Sequence, residues 1–586
     1  MPDSAPSAPA PSGRPHHAHW PRRLPRALDI PDTTLHDNLE VSARRFPRKD
    51  VTRFFGQGLS YAGLHTQALA LAGWLQAQGV QRGDRVLLFM QNCPQFLVCV
   101  YAILRADAVV VPVNPMHRAD EFAHCAADAG ACVVLTSADL AGIVAAADAA
   151  LPPPQRLHAV LVARLGDALP SAGPPGNESP APSVLAWLLA DPPLPEAAPG
   201  GPSWVRWAQA LEAGHRPGES RTGPDDLAML PYTSGTTGRP KGCMHTHRTL
   251  MSNVVSGQWI HGGPETVALG VVPMFHITGM VGSVLGTVYQ GATLVILPRW
   301  DRELAGRLLS RPGPGCITHW TCIPTMVIDL FGSPDLDQFD LSGLRYLGGG
   351  GAAMPEAVAQ RLRDRWGLSF GEGYGLTETA APSHNNPPER SKLQCLGMPY
   401  FGVDSRVVDP GTLHELPAGE VGEIVTHGPM VFKGYWGHPE ATRAAFCEID
   451  GKPFFRTGDL GRMDEEGYFF IVDRLKRMIN ASGYKVWPSE VELMLFKCPL
   501  VQEACVIAAH DAYRGETVKA LVVLRESARD GATPQDVIDW ARGHMAAYKV
   551  PRIVEFVDSL PRSGAGKVMW RVLQERERQR GPAAGG

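Results

Sequence analysis

Between Tyr232 and Gly242 the chain reads YTSGTTGRPKG. Backbone N–H groups of such a glycine-rich turn can surround phosphate oxygens, and Gly235 and Gly238 allow the close approach that this requires. Thr233, Ser234, Thr236 and Thr237 add hydroxyl donors, and Lys241 adds a point charge. A Walker A loop has Gly-Lys-Ser/Thr opening a helix. Here Pro240 precedes Lys241, Gly242 follows it, and no hydroxyl stands beside the lysine to hold Mg²⁺. The pattern predicts a phosphate-binding loop that does not run straight into a helix. A second glycine run, Gly348–Ala353, fits the Gly-x-Gly-x-x-Ala spacing of dinucleotide sites at Gly348, Gly350 and Ala353. That bare match leaves a nucleotide-dependent oxidoreductase as a competing reading.

These residues need a frame. From about Leu35 to Ser137, helical and strand-like segments alternate: ALALAGWLQAQGV has helical spacing, DRVLLFM and VVVPV read as strands, and FLVCVYAILRADA as a helix. Such alternation predicts a parallel sheet with crossover helices. The phosphate loop lies between a strand, LAMLPY, and a helix, RTLMSNVVSGQWI. Residues 170–224 are rich in Pro, Gly and Ala and read as a surface insertion with one helix, SWVRWAQALEAG. A smaller α+β domain begins near Arg474. The expected division is a disordered extension over 1–30, a large domain over 31–474 that includes a β-rich subdomain, and a mobile cap over 475–580. The fold class is α/β, with parallel and mixed sheets in the large domain.

The bulk properties narrow the function classes. A chain of 586 residues exceeds one compact core. A net charge of −4 argues against a nucleic-acid partner. Eleven scattered cysteines without a C-x-x-C pair argue against disulfides or structural zinc, and for a reducing, cytoplasmic setting. The uncharged stretch Ile277–Leu297 has a membrane-spanning length, but its four glycines and its YQGAT break predict a buried helix followed by a buried strand. No integral span is expected, only transient membrane contact, in a monomer or homodimer.

The phosphate loop, together with PMFHITGM, GYGLTET, GEIVTHGPMVFKGYW, RTGDLGRMDEEGYFFIVDRLKRMINASGYKVWPSEVE and LPRSGAGKV in that order, resembles the signature set of the adenylate-forming superfamily of acyl-CoA synthetases, adenylation domains and luciferases. The resemblance extends from about residue 35 to the end. SGYKVWPSEVE and DAYRGETVKALVVL are most similar to bacterial fatty acyl-CoA ligases. It implies two steps: a carboxylate attacks the α-phosphate of ATP to give an acyl-adenylate and pyrophosphate, and the thiol of coenzyme A then displaces AMP.

The resemblance also implies roles. The segment Thr233–Lys241 would hold the β- and γ-phosphates, Thr377 the α-phosphate, and Glu378 the Mg²⁺, a hard cation suited to an oxygen ligand. Asp459 would accept the ribose hydroxyls with Arg474 beside it, Tyr374 would cover adenine, and Gly351, Ala352 and Ala353 would bring backbone to the purine. The family usually has serine where Gly349 stands. Lys567 would bridge carboxylate and α-phosphate, Lys476 would be the hinge, and Ser482 and Gly483 would line the coenzyme A tunnel. His276 would gate an acyl pocket lined by Ile277, Met280, Trp320 and Cys322, with Gly375 where acetate-activating relatives carry tryptophan. Histidine in place of aspartate argues against an amino acid substrate, and the apolar lining favours a medium- to long-chain fatty acid. An aromatic acid stacked on Trp320, transfer to a carrier-protein thiol, and a non-catalytic ATP-binding regulator are the other readings.

Overall fold

The computed structural model describes residues 14–580 apart from 197–199, 234–239, 261, 314, 478, 482–483, 512–514, 530 and 563–567. Two large sheets form its bulk among the described residues. In the seven-stranded sheet, Arg85–Phe89, Val109–Pro112, Val133–Ser137, Ala159–Ala163 and Ser203–Arg206 run parallel. Leu227–Met229 extends it toward the phosphate loop, parallel to Val109–Pro112. The nine-stranded sheet carries Val267–Gly270, Thr293–Ile296, His319–Cys322, Tyr346–Gly349 and Phe370–Leu376 near its centre.

The strand Arg85–Phe89 shows why these sheets form layers. Val86 and Leu88 join one core, with helices Tyr61–Ala77 and Pro94–Arg105 and with Leu294 and Trp320 of the second sheet. Leu87 and Phe89 join another, with Phe122, Cys125 and Val144. The two-residue period sends alternate apolar residues to opposite faces, both covered. Every residue from Pro94 to Leu104 is buried, as a helix without a polar face requires when sheets lie on both sides.

Ile277–Leu297 is a helix and a strand, not a span. Helical turns run from Ile277 to Gln290, widening to π geometry over Met280–Leu285. Gly291 ends them in the left-handed region (φ 67°), and Thr293–Ile296 follows as a buried strand. No helix among the described residues is long and apolar enough to cross a membrane.

Two expectations need correcting. The stretch 1–30, read as disordered, is ordered from residue 14 onward. His16 is buried, Trp20 packs 5.0 Å from Trp259 and 5.6 Å from Phe401, and Arg14 pairs with Asp404 at 2.8 Å. A few aromatic and cationic anchors outweigh a Pro/Ala/Ser-rich composition. The 170–224 insertion is likewise built into the fold. Ser203–Arg206, read as part of a helix, is the edge strand beside Ala159–Ala163, leaving Trp207–Glu212 as the helical part of that stretch, and a second helix, Pro182–Leu189, precedes it where one helix was expected. Asp107 then fixes Ser220, the Arg221 N–H and Thr222 with three hydrogen bonds of 2.6–2.9 Å.

An antiparallel five-stranded sheet follows, with Lys452–Met463 at its centre and Phe469–Arg474 beside it. Past Arg474 the chain enters a separate sheet containing Ile479–Ala481, Val501–Asp511 and Gly515–Leu524. That sheet shares an apolar core with helices Pro488–Leu495 and Pro534–Arg542.

Candidate active site

The phosphate loop is stitched at its neck. Tyr232 and Gly242 pair across an antiparallel bridge, the Thr233 N–H donates to the Lys241 carbonyl at 3.0 Å, and the Tyr232 hydroxyl donates to Asp128 at 2.7 Å. Ser234, Gly235, Thr236, Thr237 and Gly238 lie outside the described residues. The following helix, His247–Val254, starts well after Lys241, so the lysine is not part of a helical N-terminus.

Tyr435 joins the loop to the acid side of the site. Lys241 Nζ stands 5.3 Å from the centroid of its ring, and its hydroxyl donates to Glu378 Oε1 at 2.8 Å. A cation and a carboxylate are thus arranged around one phenol. Glu378 sits in the turn Thr377–Thr379, just after the strand Phe370–Leu376. Burial raises its pKa above the usual carboxylate value, while the Tyr435 hydrogen bond and the Arg474 charge oppose that shift. An acid held this way gains most from a cation beside it. One carboxylate plus phosphate oxygens is also a donor set that suits Mg²⁺. Among the described residues no three His, Cys, Asp or Glu side chains cluster as a metal cage.

The turn bearing Glu378 is strained and gripped. Ala380 and Ala381 have φ of 50° and 77°, a region costing about 1–2 kcal/mol for each L-residue. Asn253 donates to the carbonyls of Thr379, Ala380 and Pro382 at 3.1, 2.7 and 3.1 Å. His245 Nε2 lies 2.7 Å from the Thr377 carbonyl, and burial lowers its pKa to about 4, so at neutral pH the ring is uncharged and donates there. Gly375 faces this turn, and a Cβ there would fall 1.7 Å from the Ala381 carbonyl oxygen. The absence of a tryptophan floor is therefore built into the backbone.

The ribose candidates also converge. Asp459 is 1 % exposed; Tyr374 donates its hydroxyl to Oδ2 at 2.6 Å, and Arg474 Nε lies 2.8 Å from Oδ1. Asp459 and Arg474 are paired residues of neighbouring strands. The Asp459 charge holds the Arg474 guanidinium above its usual pKa. Both charges act on Glu378, Arg474 favouring its ionised form and Asp459 opposing it. Tyr374 points its hydroxyl at Asp459, a contact that its expected place over adenine did not include. Gly351, Ala352 and Ala353 are exposed after the strand Tyr346–Gly349, and the next helix starts only at Glu356, so the glycine run does not open a helix as a dinucleotide fingerprint does. A Cβ at Gly349 would lie 1.8 Å from the Cys322 carbonyl oxygen.

At the acyl side, His276 is half-buried and accepts from the Thr278 N–H at 3.4 Å. Ile277, Met280, Trp320 and Cys322 are all buried, and burial pushes the Cys322 thiol well above its usual pKa. Trp320 and Cys322 share a face of the strand His319–Cys322. Trp300 stacks on Trp320 at 5.8 Å and 7°, so one face of the ring expected to meet an aromatic substrate is covered by protein. Lys567, Ser482 and Gly483 lie outside the described residues. Lys476 is in the turn Leu475–Arg477 at the crossing into the last domain. Tyr435, Asn253 and His245 were not singled out from sequence, although Tyr435 belongs to the GYW end of a quoted motif.

Comparison with known proteins agrees with this geometry. Residues 39–436 match the model of the AMP-binding enzymes, and residues 490–567 match the AMP-binding enzyme C-terminal domain. The chain belongs to the AMP-binding enzyme family, the adenylate-forming superfamily of its motifs. A long-chain-fatty-acid–CoA ligase of Bacillus subtilis is 35 % identical over 576 residues, covering 97 % of this chain and 98 % of its own. A feruloyl-CoA synthase of Amycolatopsis is 36 % identical over 532 residues, covering 90 % and 96 %. Among solved structures, ATP-bound MatB of Rhodopseudomonas palustris superposes with a TM-score of 0.77 at 30 % identity, covering 92 % of this chain and 99 % of its own. Its apo form gives 0.69 at the same identity, with 93 % and 99 % covered.

Proposed function

We propose that the protein is an ATP-dependent acid–thiol ligase that converts a medium- to long-chain fatty acid to its coenzyme A thioester. The observation that carries this reading is the pair of clusters Lys241–Tyr435–Glu378 and Tyr374–Asp459–Arg474, joined through the strand Phe370–Leu376 and the turn that follows it. One end offers charge for a triphosphate; the other offers a buried carboxylate for a diol. The fatty acid ligase of Bacillus subtilis supports the substrate class.

In the first step a carboxylate oxygen bonds to the α-phosphorus as the bond to the β-phosphate oxygen breaks and pyrophosphate leaves. Thr233 and Lys241 hold the departing phosphates, and Thr377 faces the α-phosphate. Asp459 and Arg474 fix the ribose, so binding energy far from phosphorus orients the reacting atoms. Glu378 would hold Mg²⁺, whose charge would offset the repulsion of two anions. Lys567 would neutralise charge building at the α-phosphate. In the second step the coenzyme A sulfur bonds to the acyl carbon and AMP leaves, after the cap has turned about Lys476 to bring Ser482 and Gly483 to the thiol path. The likeness to the ATP-bound form of MatB exceeds that to its apo form, which supports reading the present domain arrangement as a nucleotide-binding one.

The feruloyl-CoA synthase keeps an aromatic acid as the second reading, against which the covered face of Trp320 argues. Cytoplasmic placement accords with eleven unpaired cysteines. The deciding experiment is acid-dependent pyrophosphate release over a panel of aliphatic and aromatic acids, with coenzyme A or a carrier protein as acceptor. Long alkyl acids with coenzyme A should give the highest kcat/KM; no AMP from any acid would end the proposal. Lys567→Ala should slow adenylation by about 10²–10³-fold, the usual cost of one preorganised charge, while attack on supplied adenylate survives.

A further inference from the structure

One buried carboxylate spans the crossing between the large domain and the cap. Asp473 belongs to the strand Phe469–Arg474 and pairs with Leu460 in the large domain's antiparallel sheet. It is 3 % exposed. Its Oδ1 accepts the Arg474 N–H at 2.6 Å, and its Oδ2 accepts the Ser489 N–H at 2.8 Å. Ser489 is the second residue of the cap helix Pro488–Leu495, whose own N-cap, Trp487, supplies no side-chain acceptor. First-turn N–H groups have no partner within their helix, and Pro488 has no N–H, so Ser489 carries the first orphan donor. A carboxylate there satisfies that donor and faces the positive end of the helix dipole. A residue of the large domain thus caps a helix of the small one.

The same helix leads on to the segment that bears Lys567. Its Glu492 holds the Arg477 guanidinium, with Nη1 3.2 Å from Oε2, and Arg477 Nη2 also donates to the Val506 carbonyl at 3.0 Å. Arg477 Cζ in turn lies 5.5 Å from the ring centroid of Trp570, three residues past Lys567. From Asp473 through the helix and Arg477 to Trp570, the contacts are continuous. Lys476 lies between the two hydrogen-bonded partners in sequence, and turning the cap about it would carry Ser489 away from Asp473.

We propose that Asp473 is a positioning residue for adenylation: by capping the cap's helix from the large domain, it latches the cap in the orientation that presents Lys567, and it must let go before the thiol step. This inference rests on the two-step reaction proposed above. Two variants test it from opposite sides. Asp473→Ala removes the acceptor. Ser489→Pro removes the N–H donor, and with it the hydroxyl that accepts from Arg477 Nη1 at 3.4 Å, at a first-turn position where the missing N–H breaks no intrahelical bond.

Each variant and the wild-type protein is assayed in two half-reactions, acid-dependent pyrophosphate–ATP exchange and thioester formation from supplied acyl-adenylate and coenzyme A. Circular dichroism melts report folding. Exchange should fall roughly 5–30-fold in both variants, the factor that loss of one helix cap converts to, with the thioester rate unchanged or raised. Asp473→Asn, which keeps a carbonyl oxygen for Ser489, should recover most of the exchange. If Asp473→Ala does not fold, Ser489→Pro decides alone. An equal fall in both half-reactions, or no fall in either, overturns the latch. Absence of both from the wild-type protein overturns the reaction itself and the latch with it, so the two failures are distinguishable.

Discussion

Replacing Tyr435 by Phe removes one oxygen atom and tests the electrostatics of the phosphate end. The ring remains, so the Lys241 ammonium keeps its place 5.3 Å from it, and only the 2.8 Å bond to Glu378 is lost. A hydrogen bond to a charged group contributes about 1.5–3 kcal/mol. Glu378 is half-buried, so water substitutes in part and the lower end applies. About 1.5 kcal/mol corresponds to about one pKa unit. Tyr435 favours the carboxylate, so its loss raises further a pKa that burial has already raised. If the ionised form is the one that works, kcat/KM for ATP falls as pH drops through this pKa. In the variant that fall should begin about one unit higher. Stability gives an independent reading. An acid whose pKa rises on folding binds its proton more tightly when folded, so the destabilisation is full above the folded pKa and gone below the unfolded one. The variant's melting deficit should therefore shrink as pH is lowered. The assay is pyrophosphate exchange against pH, with thermal melts over the same range. An acidic limb that superimposes on the wild-type limb, with only the amplitude lowered, would refute the reasoning.

Gly349→Ser introduces the residue that the family resemblance leads one to expect but sets its Cβ 1.8 Å from the Cys322 carbonyl oxygen. It should cost about 1–3 kcal/mol in urea denaturation without improving ATP affinity. Trp20→Ala breaks ring contacts to Trp259 and Phe401. Because Trp20 is only half-buried, the loss should be about 2 kcal/mol, below the usual cost of truncating a buried aromatic, and visible as a lower melting temperature.

What the sequence discloses is mostly local. The short apolar run RVLLF, the helical spacing before Gln78 and the break at Gly291 each lie within a short window, and each corresponds to an observed element. The extended stretch SWVR is harder, because four residues before a helix carry too little periodicity to separate strand from helical turn, and its partner strand begins more than forty residues earlier. Composition misleads at residues 14–30 because disorder is a property of averages, whereas docking there depends on His16, Trp20 and a few arginines. The site divides in the same way. Motif order points to Lys241, Glu378 and Asp459, but nothing in their spacing shows that Tyr435 serves two of them, with its ring toward the lysine and its hydroxyl toward the acid. Asn253 binds carbonyls, which are common to all residues, so no side-chain pattern announces its three bonds to the strained turn. Asp473 is similar: its partner is the backbone N–H of Ser489, sixteen residues on. The groups that would meet the substrate are therefore the more legible ones, since chemistry restricts their side chains. The groups that aim them act largely through the main chain, which any sequence supplies, and only the folded arrangement reveals them.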